Sequence, residues 1–516
     1  MKLRRLLSLG LLALTALLGG CGGSSSNSTG SVALNATPPA LAGAPRTGVI
    51  AVARSSDSVS LDPQALTIGE DYTTQTGLYA GLVRITPDGK SIEGDLASSW
   101  TFDQKALTYT FDLREGLRFS NGTPVTTADI VYSIERAAKG EVYAPMFAAI
   151  SSVSAPNAHQ IVIKLSRYSN LVLPILSYAF VVPRNLEGHT PATFFKHPVS
   201  SGAFVLSSWE PGNKMVLKRN PHYWDSERPY VNEIVFQIIP EENARLDALQ
   251  AGDVQLDEYV PDEELPALPS GELVKNEPRA SLILLMTNNA HAPFSNPTAR
   301  EAVGWAIDRP LLLKTVWGGA GVETRGFIPP GLPESHGVLG GSERWQYDPV
   351  KAKALLHGTN PPITLLTSYE RGIDSTLVDV IQQELEQAGF HVTVEVRDYG
   401  TAVTQVLAGD FSIFLTPQTA YLPSAGEPLT TYDTLLTPAA HWNAKAVNGY
   451  LAEFSRASTV QQRKVAGIAF ERWAHANWVA VPIGNPDVFF GVSKQLRGLQ
   501  VMPFGTYRLE DLQLAG

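Results

Sequence analysis

A mixed α/β protein of two or three lobes is what this sequence predicts, and three observations lead there. The chain has 516 residues, too many for one hydrophobic core, since single cores stop growing at about 250–300 residues. Apolar residues alternate in short runs, as in Leu107, Tyr109, Phe111 and Leu113 or Ile234, Phe236 and Ile238, which is the period of half-buried strands. Helical patterns lie between such runs. One of them, Leu377, Val380, Ile381, Leu385 and Ala388 closed by Gly389, leads into a strand of Val392, Val394 and Val396, the helix-strand order of an open α/β sheet.

Taken from the N-terminus, Lys2, Arg4 and Arg5 precede a mostly apolar run from Leu6 to Leu18 and then Gly19-Gly20-Cys21. That run is well short of the roughly 20 residues needed to cross a bilayer, so residues 1–20 read as a secretory signal. Leu18-Gly19-Gly20-Cys21 resembles a bacterial lipoprotein box, which implies lipid on Cys21 and attachment to a membrane. Cys21 is the only cysteine, so an internal disulfide is excluded. Residues 21–45, rich in Gly, Ser, Asn, Pro and Ala, offer little to bury and read as a flexible tether. A formal charge of −10 argues against nucleic acid as a partner, because phosphate backbones call for a basic face.

Beyond the tether, the first strand is expected over Gly48–Ala53, followed by Ser60-Leu61-Asp62-Pro63 and a helical stretch to Leu82. Thr86-Pro87-Asp88-Gly89 makes a turn. After the Leu107–Leu113 strand, Asn121-Gly122 supplies a turn, Pro124 stiffens its exit, and Thr126 with Asp129 forms a capping box. A helix should begin near Thr127 and pack Ile130, Val131, Ile134 and Ala138 against the sheet. Gln160–Leu165 is a strand, and Leu171–Val182 is a mostly buried run ending at Pro183. Pro211-Gly212-Asn213 is the hairpin turn before a strand carrying Met215 and Leu217. Asn243–Ala251 reads as a helix ending at Gly252. Asn296-Pro297 and Asp348-Pro349 are cap-plus-proline starts, and a last helix runs over Val460–Ala476.

The wording of several stretches is more specific than their physics. From Trp100 to Arg136 the order W-x8-Y-x-F-x-L-R-x-G-x-x-F-x-N-G-T-P-V-T-x-x-D-x-V-Y-S-x-x-R resembles the signature of the family 5 extracytoplasmic solute-binding proteins, the peptide- and nickel-type receptors of ABC importers. Leu78-Tyr79-Ala80-Gly81-Leu82, SGAFVLSSWEPGNKMVLKRNPHYWD from Ser201, ALQAGDVQLDEY, TNNAHAPFSNPTAREAVGWAIDR and Trp478-Val479-Ala480-Val481-Pro482-Ile483 extend the resemblance in family order over about residues 48–510. It implies a periplasmic-binding-protein-like α/β fold (type II, cluster C), with two lobes, a hinge and an extra subdomain. Lobe I would comprise 46–85, 191–283 and 486–516, the extra subdomain 86–190 and lobe II 284–485. The implied function is capture of a small peptide or other small solute by hinge closure and delivery to ABC permease subunits, by a monomer anchored outside the cytoplasm.

Enzyme signatures are lacking. Gly89-Lys90-Ser91 resembles the tail of a P-loop, but Arg84 stands where the motif needs glycine. No G-x-S-x-G or H-E-x-x-H occurs, and His189 and His197 lack ligand spacing, so neither cofactor nor metal is expected. In peptide-binding relatives a motif G-D-F-D-x5-W-x-x-D-Y carries the aspartate that pairs with the peptide's ammonium. Here Gly409-Asp410-Phe411-Ser412 matches its start, but Gln418 stands at the tryptophan and Tyr421 at the aspartate. An ammonium buried without a counter-charge is costly. Either Glu427, Asp433 or Glu70 supplies that charge, or Gln418 and Tyr421 meet hydroxyl, amide or ring groups of a ligand lacking the amine. The Ile68–Tyr72 segment with Tyr72, the Phe414–Tyr421 segment and Tyr143 match further cleft positions of relatives, and each is equally compatible with core or rim packing. An oligosaccharide, an opine-like compound or a chelated metal as solute, and a sensor or chaperone role, remain the alternatives.

Overall fold

The computed structural model describes residues 36–43, 46–65, 69–140, 143–276, 279–324, 326–335, 346–368 and 373–515; the signal segment and Cys21 lie outside them, as does the side chain of Glu70. Three sheets organise the described residues. The first has seven strands in the order Leu273–Asn276, Val488–Val492, Leu256–Val260, Val49–Arg54, Glu233–Ile238, Lys214–Arg219 and Phe204–Glu210. Val49–Arg54 runs parallel to both neighbours, so its carboxyl end is a switch point of an α/β sheet, the place where such folds present ligand sites. The second has six strands, Gly321–Val322, Ala480–Pro486, Ser281–Thr287, Ile413–Thr419, Pro362–Thr367 and His391–Val396. The third is an antiparallel four-stranded sheet of Ala97–Asp103, Thr108–Leu113, Gln160–Leu165 and Ile150–Asn157.

The first two sheets are the cores of lobes I and II. The chain leaves lobe I after Asn276 to start the Ser281–Thr287 strand of lobe II, and returns between Pro486 and Val488. These two crossings are tied to each other and to the lobes. Arg279 donates to the Pro486 carbonyl (3.1 Å) and Lys275 pairs with Asp487 (2.8 Å). Ala280 N–H donates to Pro503 O, while its carbonyl accepts from Ala420 N–H, both at 2.7 Å. A pair of adjacent crossings of this kind is the geometry of a hinge.

Local chemistry places most elements where the sequence puts them. Thr126 caps the Thr127–Ala137 helix and Asp129 bonds back to the Thr126 N–H (2.8 Å), completing the box; the second Asp129 oxygen accepts from Arg184 N–H (2.7 Å). Asn296, Asp348 and Thr459 likewise cap the helices that follow them. Three expectations need correction. Leu107 is not part of its strand: it lies at φ +50°, just before Thr108. The helix expected to reach Leu82 covers Gly69–Leu78, because Ser201 Oγ accepts from Ala80 N–H and Asp95 accepts from Gly81 N–H (3.0 Å each), pulling the backbone out of the helix. The far end of the tether is docked. Thr37 N–H donates to Leu499 O (3.0 Å), Gly498 N–H to Pro38 O (2.8 Å), and Leu41 exchanges hydrogen bonds with the Gln513 amide.

Candidate functional site

Four tyrosines and two phenylalanines from separate parts of the chain meet where the lobes face each other. Tyr72, on the Gly69–Leu78 helix, stacks on Tyr178 with ring centroids 4.7 Å apart and planes 18° from parallel. Tyr421, directly after a lobe II strand, stands 6.3 Å from Tyr72, and Phe504 of the C-terminal segment stands 6.3 Å from Tyr72 and 6.5 Å from Tyr421. Tyr143 packs on Tyr178 at 4.8 Å, and Phe180 adds a further ring 6.3 Å from Tyr72. Tyr178 Oη donates to the Tyr421 carbonyl (3.0 Å), a hydrogen bond from the segment that follows the third sheet to lobe II. Tyr72, Tyr178, Phe180 and Phe504 are buried in the main hydrophobic core, whereas Tyr143 and Tyr421 are half-buried, so those two keep exposed surface with which a tyrosine can stack on or hydrogen-bond a small solute.

Glu427 closes this group from the lobe II side. One of its oxygens, Oε2, accepts from Tyr421 N–H (2.6 Å) and from Leu422 N–H. The carboxyl is buried, and loss of hydration pushes it up to about 8 even though the two amides pull it down. A group so placed is mostly protonated near neutral pH, so it acts as a neutral hydrogen-bonding group and a brace for the loop rather than as a standing negative charge. Its neighbour Ala425 N–H is held by a second buried acid, Glu334 (3.0 Å), which pairs with Arg463 (2.6 Å).

Of the residues singled out in the sequence, the structure brings Tyr72, Tyr143, Tyr421 and Glu427 together. Gln418 lies half-buried on the Ile413–Thr419 strand opposite Leu282, close to the hinge rather than among the rings. Asp433 sits on the Tyr432–Leu436 helical turn and accepts from Asn448 Nδ2 (2.8 Å), with no ring of the group as its partner. Cys21 and the Glu70 side chain lie outside the described residues. Sequence reasoning missed Tyr178, Phe180 and Phe504. The first two sit in the Leu171–Val182 run, whose apolar character reads as core; their rings are indeed buried in it, and only tertiary placement brings them against Tyr72. No cluster of three or more His, Cys, Asp or Glu that could hold a metal exists among the described residues.

Comparison with known proteins bears on the family and the fold. The family model for bacterial extracellular solute-binding proteins, family 5 middle, matches residues 91–440, more than half of the chain. The glutathione-binding protein GsiB of Escherichia coli strain K12 is 25% identical over 490 residues, covering 90% of this chain and 94% of that protein. Among solved structures, a dipeptide-binding protein of Pseudoalteromonas sp. SM9913 in complex with Met-Leu superposes with a TM-score of 0.83 at 18% identity, over 91% of this chain and 100% of the other. AgaA of A. tumefaciens R10 in complex with agropinic acid gives 0.81 at 24% identity, over 91% and 99%. Those likenesses establish the shared two-lobed fold.

Proposed function

The chain belongs to the bacterial extracellular solute-binding proteins of family 5, and from that membership we propose that it captures a small peptide or peptide-like solute between its lobes and hands it to an ABC permease. The observation that carries this reading is the ring group of Tyr72, Tyr178 and Tyr421, which draws on both lobes and lies beside the two crossings. Closure of the lobes would bury a solute against these rings, with backbone and tyrosine hydroxyls meeting its polar groups. Support for a peptide-like ligand comes from relatives whose names record glutathione and Met-Leu. Lipid on Cys21, a position outside the cytoplasm, a monomeric state and the division into lobe I (46–85, 191–283, 486–516), extra subdomain (86–190) and lobe II (284–485) belong to the same proposal, as does a role in binding without catalysis.

One observation favours a second solute class. Tyr421 stands where peptide-binding relatives carry an acid, and Glu427 beside it is held mostly neutral. That lining suits hydroxyl and amide groups, as in an opine, and AgaA binds such a compound. Mass spectrometry of solute retained through gentle purification, followed by calorimetry with glutathione, Met-Leu and agropinic acid, separates the two. In the peptide-like reading Tyr421→Ala weakens the bound peptide by about tenfold, the worth of one lost stacking and hydrogen-bonding side chain, with little change in melting temperature. Equal loss of affinity and stability would return Tyr421 to a packing role.

A further inference from the structure

Tyr143 and Tyr421 are the half-buried tyrosines of the ring group, and Tyr178, itself only 4% exposed, touches both. Its ring packs on that of Tyr143 (4.8 Å between centroids) and on that of the buried Tyr72 (4.7 Å), and its hydroxyl donates to the Tyr421 carbonyl (3.0 Å). The two tyrosines open to a solute thus take their places against a third that is closed to solvent.

The backbone of Tyr178 is held on the lobe I side. It ends the single turn Leu176–Tyr178, and three residues on, Val181 N–H donates to Ala80 O (2.8 Å), just past the Gly69–Leu78 helix that carries Tyr72. Its hydroxyl reaches lobe II at a stretch that other groups also fix. Ala420 N–H donates to Ala280 O in the first crossing (2.7 Å), and the Tyr421 and Leu422 amides both donate to Glu427. Burial pushes the Tyr178 phenol well above its ordinary range, so the hydroxyl keeps its proton and its donor role.

The Glu427 bonds lie within lobe II and persist whether the lobes are open or closed. The bond from Tyr178 to Tyr421 spans the lobes. In an open form the phenol and the carbonyl part and meet water instead, so the free energy of this bond falls on the closing equilibrium, on which capture draws.

We infer that Tyr178 is a positioning residue for solute capture: by holding the Tyr421 carbonyl on closure, its hydroxyl sets Tyr421 against Tyr143 and stabilises the closed form. It acts through Tyr421 and not by contact with the solute. The inference rests on the reading of capture between the lobes given above, but the closing equilibrium can be measured without a solute.

Tyr178→Phe removes the hydroxyl and keeps the ring, with its contacts to Tyr72 and Tyr143. Tyr450→Phe is the control, a half-buried tyrosine of the Ala444–Arg456 helix that packs against Phe470 (6.2 Å) and Trp473 (6.0 Å). Calorimetry on the full chain uses glutathione, Met-Leu and agropinic acid. Those that bind the wild type are expected to bind Tyr178→Phe roughly tenfold more weakly, the loss of one buried hydrogen bond, and Tyr450→Phe as tightly as the wild type, with little change in melting temperature. Unchanged affinity in Tyr178→Phe overturns the inference. A Tyr178→Phe chain that fails to fold, or whose stability falls in step with its affinity, makes Tyr178 a packing residue and overturns it as well. The second arm needs no solute. Electron–electron resonance between spin labels at Ser208→Cys in lobe I and Ala408→Cys in lobe II, in a Cys21→Ser chain, reads the closed fraction. That fraction is expected to fall in Tyr178→Phe, and equal fractions in the two chains overturn the inference. If none of the three compounds binds the wild type, capture of those solutes is refuted, while the spin labels still decide the role of Tyr178.

Discussion

Glu427 holds two amides with one oxygen in a buried site, and its protonation is therefore linked to folding. Its carboxyl moves from an ordinary 4.5 to about 8 on folding, for the cost of desolvation. Between those values the folded chain keeps a proton that the unfolded chain has released, so the stabilisation is complete below the lower value and is lost as pH rises through the upper one. Glu384, raised to about 7, and Asp257, raised to about 6, both by burial, act in the same direction. The melting temperature is expected to fall from about pH 5.5 to about pH 8. Glu427→Gln, which keeps an oxygen for the Tyr421 and Leu422 amides, should flatten that fall, as differential scanning calorimetry at the two pH values would record. An unaltered slope in the variant would mean that Glu427 is ionised in the folded protein.

Asn170 belongs to the segment after the third sheet, yet its hydrogen bonds go to lobe II. Its N–H donates to Ser455 O (3.1 Å) and its amide to Phe454 O (2.7 Å) and Ala457 O (3.0 Å), closing the carboxyl end of the Ala444–Arg456 helix. Next to it Leu171 packs so tightly on Gly426 that a Cβ at that glycine would collide with it. Asn170→Ala removes two hydrogen bonds and should loosen this contact by about 1–2 kcal/mol. The expected readout is roughly tenfold weaker solute binding, because the closed state is less populated, while the lobes themselves melt as before. The Thr126–Asp129 box, the Asn296-Pro297 start and the Gly252 stop were legible in the sequence because their hydrogen bonds close within about four residues. Asn170 was not, since its partners lie hundreds of residues away. The same holds for the ring group: Tyr72, Tyr143 and Tyr421 could be named from their surrounding phrases, whereas Tyr178 and Phe504 are joined to them only by the packed fold. The end of the Gly69–Leu78 helix was misjudged for a related reason, because distant Ser201 and nearby Asp95 take the amides that would have continued it.

Two lobes joined by adjacent crossings, one at Arg279 and Ala280 and the other at Asp487, can rotate with little change inside either sheet. Small-angle scattering should therefore show a smaller radius of gyration once solute is bound, and a constant radius with proven binding would exclude capture by closure. The two-lobed plan itself was implied by phrases shared with relatives, since alternation and length alone reach no further than two or three α/β units. The docked segment from Thr37 to Leu41 bears on how that rotation would operate in place. It is stitched to Leu499 and Gln513, which lie on the lobe I side of the second crossing. A pull on the N-terminus is thus borne by one jaw only. If that end is fastened to a surface, lobe I keeps a set attitude toward it and lobe II does the swinging, as on a leash clipped to a single half of a clasp.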